Sequence, residues 1–174
     1  EQWCAAGYDF IGAPWLRSSE SPAEGFAGVG NGGFSLRRVD SFLQVLSSSV
    51  YMIDPAEYRR RWQERYGGRN LFVRLLNAPR LALKRVRAFN SVRQFTTSYA
   101  LNEDHFWADE ARHYYADLRI APPELALRFA FEQAPRYAYH RLGRLPFGCH
   151  GWPTNDRAFW EPLLAPVAPE HLGT

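Results

Sequence analysis

Gly30-Asn31-Gly32-Gly33-Phe34-Ser35-Leu36-Arg37 is the stretch on which the reading of this chain turns. With Gly28 and Val29 before it, it satisfies G-x-G-x-x-G on paper. A dinucleotide-binding fold needs a buried strand just before that pattern and a helix opening inside it. Here a polar loop over residues 17–25 precedes, and an extended Phe-Ser-Leu follows. No Gly-Lys-Ser/Thr follows either, so a Walker phosphate loop is excluded. What remains is backbone that approaches another group closely or takes a positive φ, with a tight turn as the plainest form.

Upstream, Gly7-Tyr8-Asp9-Phe10-Ile11-Gly12-Ala13-Pro14-Trp15 predicts a short strand ending in a turn at Gly-Ala-Pro. Downstream the pattern turns helical. Asp40 is placed to cap a helix carrying Phe42, Leu43, Leu46 and Val50 on one side. Asp54-Pro55 starts a second helix, running to about Tyr66 and stopping at Gly67-Gly68. Residues 69–97 carry Arg80, Lys84, Arg85, Arg87 and Arg93 and are expected to be helical, broken at Pro79. Asn102 precedes a helix from Glu103 to about residue 118, which Pro122-Pro123 closes off. Leu125, Leu127, Phe129 and Phe131 alternate, which predicts a strand over residues 125–131. Residues 145–153 form a stiff, turn-rich loop, and the proline-rich tail after Trp160 is expected to wrap the surface.

The chain has 174 residues, 46% of them apolar, enough for one domain with a sizeable core and too apolar for general disorder. No stretch approaches the roughly 20 apolar residues of a membrane helix, and Glu1-Gln2-Trp3-Cys4 has no export pattern. Two cysteines, Cys4 and Cys149, are too few for a disulfide framework or a zinc cluster, so a reduced, cytoplasmic setting is expected. The net charge is +3, and Lys84 is the only lysine. Arginine codons in a GC-rich genome explain this usage; recognition of phosphate by planar guanidinium forks is the functional alternative. A nucleic-acid footprint is more basic and more concentrated than this, so no nucleic-acid partner is expected.

Three places carry candidate chemistry. Asn102-Glu103-Asp104 is sufficient as a helix start, with two acids in the first turn favoured by the dipole. It equally suits a general base, with a second carboxylate for acceptor hydroxyls. His150 sits among glycines in Phe147-Gly148-Cys149-His150-Gly151-Trp152, away from any amphipathic face, and suits a metal ligand or a diphosphate contact. His105, His113, His140 and His171 form no ligand spacing. Trp15, Trp107 and Trp152 suit ring stacking, and core packing explains each equally well.

Three segments in order, residues 8–15, residues 30–37 and Asn102-Glu103-Asp104-His105-Phe106, closely resemble a bacterial family of glycosyltransferase-like domains known as DUF5672. Residues 124–132 and 145–152 look like that family's later motifs. The order Asn-Gly-Gly then Glu-Asp is also similar to the acceptor half of GT-A galactosyltransferase-type enzymes. The resemblance implies an α/β, GT-A-like fold with a small sheet and several helices, as a single domain over residues 1–174. It implies a hexosyltransferase-type activity, with a nucleotide-sugar donor and a carbohydrate or other hydroxyl acceptor. Asp104 takes the role of base and Glu103 orients the acceptor or holds the helix start. Asn31, Gly32 and Gly33, with Trp15, Arg37 and Trp152, line the donor and acceptor cleft, and His150 completes a Mn²⁺ or Mg²⁺ site. The sequence departs from the GT-A pattern in having no Asp-x-Asp. The expectation is therefore a chain that lacks an N-terminal nucleotide-binding half and is a poor enzyme alone.

Two rivals come from other classes. A non-catalytic carbohydrate-binding or scaffold module keeps the aromatics and binds no metal. A phosphate- or nucleic-acid-binding domain uses the arginines of residues 69–93 and ranks last. The same arginines leave a peripheral membrane contact open.

Overall fold

The computed structural model describes residues 1–18 and 20–164. In chain order the elements are α1 (Gln2–Ala5), β1 (Phe10–Gly12), β2 (Pro14–Leu16), β3 (Phe26–Val29), β4 (Ser35–Arg37), α2 (Val39–Leu46), α3 (Pro55–Tyr66), α4 (Leu71–Leu83), α5 (Val92–Thr97), α6 (Glu103–His105), α7 (Ala111–Tyr114), α8 (Pro123–Phe129), β5 (Ala130–Phe131), α9 (Pro135–Leu142), β6 (Gly148–Cys149) and α10 (Arg157–Leu164). The fold is mixed α/β, with small two-stranded sheets β1–β4, β2–β3 and β5–β6 and several short helices. Two compact units arise, one from Glu1–Arg38 with the chain from Leu118 onward, the other from Val39–Asp117.

In the first unit the predicted strand over residues 7–15 does not end at Gly-Ala-Pro. It changes partner there. Residues 10–12 pair antiparallel with β4, and residues 14–16 pair antiparallel with β3. Proline is tolerated at the first position of a strand, which is where Pro14 sits. Ile11, Ala13, Val29, Ala126, Phe129 and Ala130 form one buried cluster, against which Phe34 and Leu36 pack. A second cluster joins Leu127, Phe131, Ala138 and Trp160. Buried Asp9 ties this unit together: its carboxylate accepts from the Arg119 amide at 2.7 Å and pairs with the Arg38 guanidinium at 3.4 Å.

The strand expected over residues 125–131 is a correction. Residues 123–129 are the helix α8, and only Ala130 and Phe131 are extended. The alternating residues are separated by Ala126, Arg128 and Ala130, so six of the seven positions are apolar and the period is not decisive. Pro123 at the first helical position has a preset φ and no amide to satisfy, and the helix then buries Ala126, Leu127 and Phe129. The helix α10 continues past Trp160 to Leu164; the rest of the tail lies outside the described residues.

In the second unit α2 begins at Val39, so Asp40 lies in its first turn rather than capping it. The helix stops at Leu46, before the serines and Val50, and its buried residues are Ser41, Phe42 and Val45, while Leu43 and Leu46 are exposed. The start of α3 follows the sequence reading: the Asp54 carboxylate accepts from the amides of Ala56 and Glu57 at 2.7 and 3.0 Å. Pro79 does not break the basic segment, because α4 runs through it, capped by the Asn70 side chain on the Val73 amide. A proline removes one helical hydrogen bond and crowds the preceding turn, so this position is weakened rather than closed. Fully buried Asn90 donates to the carbonyls of Ile53 and Lys84 at 2.8 and 2.7 Å and accepts from the Ile53 amide at 3.0 Å, fastening the segment before α3 to the segment after α4.

Candidate functional site

A connected polar group in the first unit grows out of a short parallel pairing. β5 and β6 lie side by side with Ala130 opposite Gly148 and Phe131 opposite Cys149. The next residue on each strand is therefore level with its neighbour, and those residues are Glu132 and His150. The His150 amide donates to the Phe131 carbonyl at 2.9 Å, which holds that register. The two side chains then meet: His150 Nδ1 lies 3.0 Å from Glu132 Oε1. The other Glu132 oxygen accepts from Asn31 Nδ2. With both carboxylate oxygens accepting, Nδ1 carries a ring hydrogen and donates to Glu132.

Nε2 faces Gly33. A Cβ built on Gly33 would lie 1.9 Å from it, so no larger residue fits while His150 keeps this position. Of the two readings of the glycine segment, close approach is the one Gly33 uses; its φ is not in the left-handed region. Asn31 Oδ1 accepts from the Gly33 amide at 3.0 Å, so buried Asn31 bonds the turn with one end of its amide and Glu132 with the other. Arg37 braces the same turn, through Ser35 Oγ at 3.0 Å and the Gly32 carbonyl at 3.4 Å. Its guanidinium also lies over the Phe10 ring, 5.6 Å from the centroid.

The structure thus brings together Asn31, Gly32, Gly33, Arg37 and His150, five residues picked from sequence. Glu132 was not among them, and Ser35, though within the quoted stretch, was given no role. Glu132 carried a signal in hindsight: it is the first charged residue after the apolar pair Ala130-Phe131, where a strand end leaves a side chain beside its neighbour's. Of the tryptophans, half-buried Trp152 packs on the cluster of Leu127, Phe131, Ala138 and Trp160. Trp15 lies in β2 opposite Gly28. Cys149, in β6, has its thiol pushed up by burial.

Glu103 and Asp104 belong to the second unit. The helix expected from residue 103 to about residue 118 ends at Tyr114 and is irregular in the middle, with a π-helical segment over Phe106–Glu110 between α6 and α7. Asn102 makes no side-chain cap; instead its carbonyl accepts the His105 amide at 3.2 Å. The Asp104 carboxylate also accepts from the His105 amide, at 3.0 Å. The wider turn is associated with buried aromatics: Phe106 and Trp107 both point inward, and Trp107 stacks on Phe42 with centroids 3.9 Å apart. Glu103 lines a cavity of about 250 Å³ whose other walls are Leu46, Thr96, Tyr99, Leu101, Phe106 and Trp107. Burial, with smaller contributions from Glu110, Asp109 and Asp104, raises the Tyr99 hydroxyl. Burial and the nearby Glu110 push the Tyr114 hydroxyl up to about 12.

Among the described residues no group of three His, Cys, Asp or Glu side chains is placed to hold a metal ion. His150 offers a single nitrogen, and Glu132 beside it is engaged by Asn31 and by the imidazole itself. The described residues therefore do not make a complete ligand set for Mn²⁺ or Mg²⁺.

A family model described as a protein of unknown function (DUF5672) matches residues 1–150. No curated protein and no solved structure matches the chain.

Proposed function

The chain belongs to the DUF5672 family, and from that premise we propose that it is the acceptor-side part of a glycosyltransferase-like protein. The reaction is transfer of a sugar from a nucleotide-sugar donor to a hydroxyl acceptor by inverting displacement. The observation that carries this reading is the place of Glu103 on the wall of a cavity lined by Tyr99, Phe106 and Trp107, with Asp104 next in the chain. A hydroxylated ring covers its apolar face on aromatic side chains and directs its hydroxyls to a carboxylate.

In this reading Glu103 accepts from an acceptor hydroxyl and orients it. Asp104 takes the proton of the attacking hydroxyl as its oxygen bonds to the anomeric carbon. The bond from that carbon to the diphosphate breaks, and its electron pair leaves with the diphosphate. Asn31, Gly32 and Gly33, with Arg37 bonded to the Gly32 carbonyl, and Trp15 and Trp152 serve donor and acceptor binding. Mn²⁺ or Mg²⁺ enters the proposal only as an ion carried with the diphosphate, with His150 the single ligand expected from this chain. A cytoplasmic setting, in keeping with free Cys4 and Cys149, belongs to the same proposal.

The test is calorimetric titration of nucleoside diphosphates, with and without Mn²⁺, into this chain and a version extended at its N-terminus. Binding that needs the metal and weakens in His150→Ala supports the reading. In the active form Asp104→Asn lowers turnover by about 10²- to 10⁴-fold with donor binding retained; unchanged turnover rules out its role as base. The second reading is a non-catalytic carbohydrate-binding module, which the lack of an Asp-x-Asp motif in the sequence favours. Sugar binding without any nucleotide binding would decide for it.

A further inference from the structure

Independently of the proposed reaction, α4 and the segment after it have a surface that neither candidate site uses. One side of α4 packs on α3, where the Trp62 indole donates to the Asn77 carbonyl at 3.3 Å. The opposite side is apolar and open to solvent. Leu71, Phe72, Leu75, Leu76 and Leu83 are all exposed, Phe72 by 73% and Leu76 by 69%. At about 100° per residue these five fall within an arc of about 140° on the helix. Val86 and Phe89, in the turn that follows, continue the apolar exposure.

Cations border this face. Arg74 and Arg80 fall on either side of the apolar arc at the same helical spacing. Arg69, Arg85, Arg87 and Arg93 are exposed in the flanking segments, and no Asp or Glu occurs anywhere in residues 69–97. None of these six arginines makes an ion pair among the described residues; Arg80 has only the Asn77 side chain, at 3.3 Å. Lys84 is half-buried, and burial lowers its ammonium below the usual lysine range.

We propose that this face of α4, with the turn at Arg87–Phe89, is a docking surface for an anionic lipid bilayer. The apolar arc enters the boundary between headgroups and acyl chains, and the arginines reach the lipid phosphates with their stems along the same surface. The charge pattern selects this occupant. A protein partner leaves unpaired like charges unless it is itself strongly acidic, and a nucleic acid leaves the apolar side chains in water. A bilayer with anionic headgroups satisfies both sets at once. No helix among the described residues is long and apolar enough to cross a membrane, so the contact lies in the plane of the surface.

The experiment is flotation of the chain with phosphatidylcholine vesicles containing about 30 mol% phosphatidylglycerol, against vesicles of phosphatidylcholine alone. Binding is expected to the anionic vesicles only, and to fall as salt rises from about 0.05 to about 0.5 M. Arg80→Gln and Arg87→Gln each weaken it by about five-fold, the equivalent of about 1 kcal/mol per cation. Phe72→Ser combined with Leu76→Ser removes binding while the thermal transition, checked by circular dichroism, is kept. Equal binding to neutral vesicles would overturn the proposal. So would no binding to either kind, whether the chain stays monomeric or forms dimers by sedimentation, the latter making the face a protein interface instead.

Discussion

Gly33 and Gly148 are both glycine because a side chain stands where a Cβ would go, but the two neighbours differ in how readily they give way. At Gly33 the obstacle is the edge of a half-exposed imidazole, which can swing into solvent. Gly33→Ala therefore separates His150 from Glu132 at a small stability cost, about 1 kcal/mol for the lost hydrogen bond. The ring nitrogen NMR shifts of His150 report the change, and identical shifts would show the site to be looser than described. At Gly148 the Cβ would lie 2.4 Å from the Phe34 ring, itself stacked on Phe129 with centroids 5.1 Å apart. That ring is partly buried and held by its stacking, so it yields less readily, and Gly148→Ala costs about 1 to 3 kcal/mol in denaturant melts. The cysteines differ in the same way. Cys4 is exposed while Cys149 is partly buried with its thiol pushed up, so iodoacetamide near neutral pH labels Cys4 first. Faster labelling of Cys149, followed by mass spectrometry, would contradict the β5–β6 packing.

Among the elements, α3 shows how much local chemistry can do alone. Its start is written in Asp54-Pro55, and Asp54→Ala is expected to cost about 1 kcal/mol in thermal melts. One turn in, the Glu57 carboxyl is held down from its ordinary 4.5 to about 2, first by hydrogen bonds from Arg60 and then from Arg61. A carboxyl whose folded value is depressed adds stability that is complete above its unfolded value and is lost as pH falls through the folded one. The difference between the wild type and Glu57→Gln should therefore be constant above pH 4.5 and vanish towards pH 2; a difference that grows on acidification would reverse the assignment. The element α8 teaches the opposite lesson. Residues 125–131 alternate in bulk but are apolar at nearly every position, and a helix and a strand both accommodate such a run. Pro122-Pro123, read from sequence only as the end of the preceding region, also starts α8, and that second role settles the matter.

On the scale of the whole molecule, contacts between distant parts of the chain matter most. Asp9 joins three of them, through the Arg119 amide and the guanidinium groups of Arg38 and Arg119. Its side chain is 3% exposed, whereas both arginines reach water. Asp9→Ala thus strands no buried charge and costs the charged hydrogen bonds, about 1.5 to 3 kcal/mol in denaturant melts. A change below about 0.5 kcal/mol would show that β1 holds its place without this anchor.

The sequence by itself determined the signals that act within a few residues. The cap and proline at the head of α3, the glycine stop after it, the extended Ser35–Arg37 segment and the rejection of a dinucleotide or Walker loop all rest on such neighbours. It also singled out Asn31, Gly33 and His150 as residues of interest. Only the tertiary structure decided what joins them. Glu132 is 101 residues from Asn31 and 18 from His150, and it meets both because β5 and β6 run parallel in one register. Pairing of that kind is fixed by burial of Phe131 and its neighbours in a common core. No local propensity encodes it, because the partner strand lies across a helix and a loop.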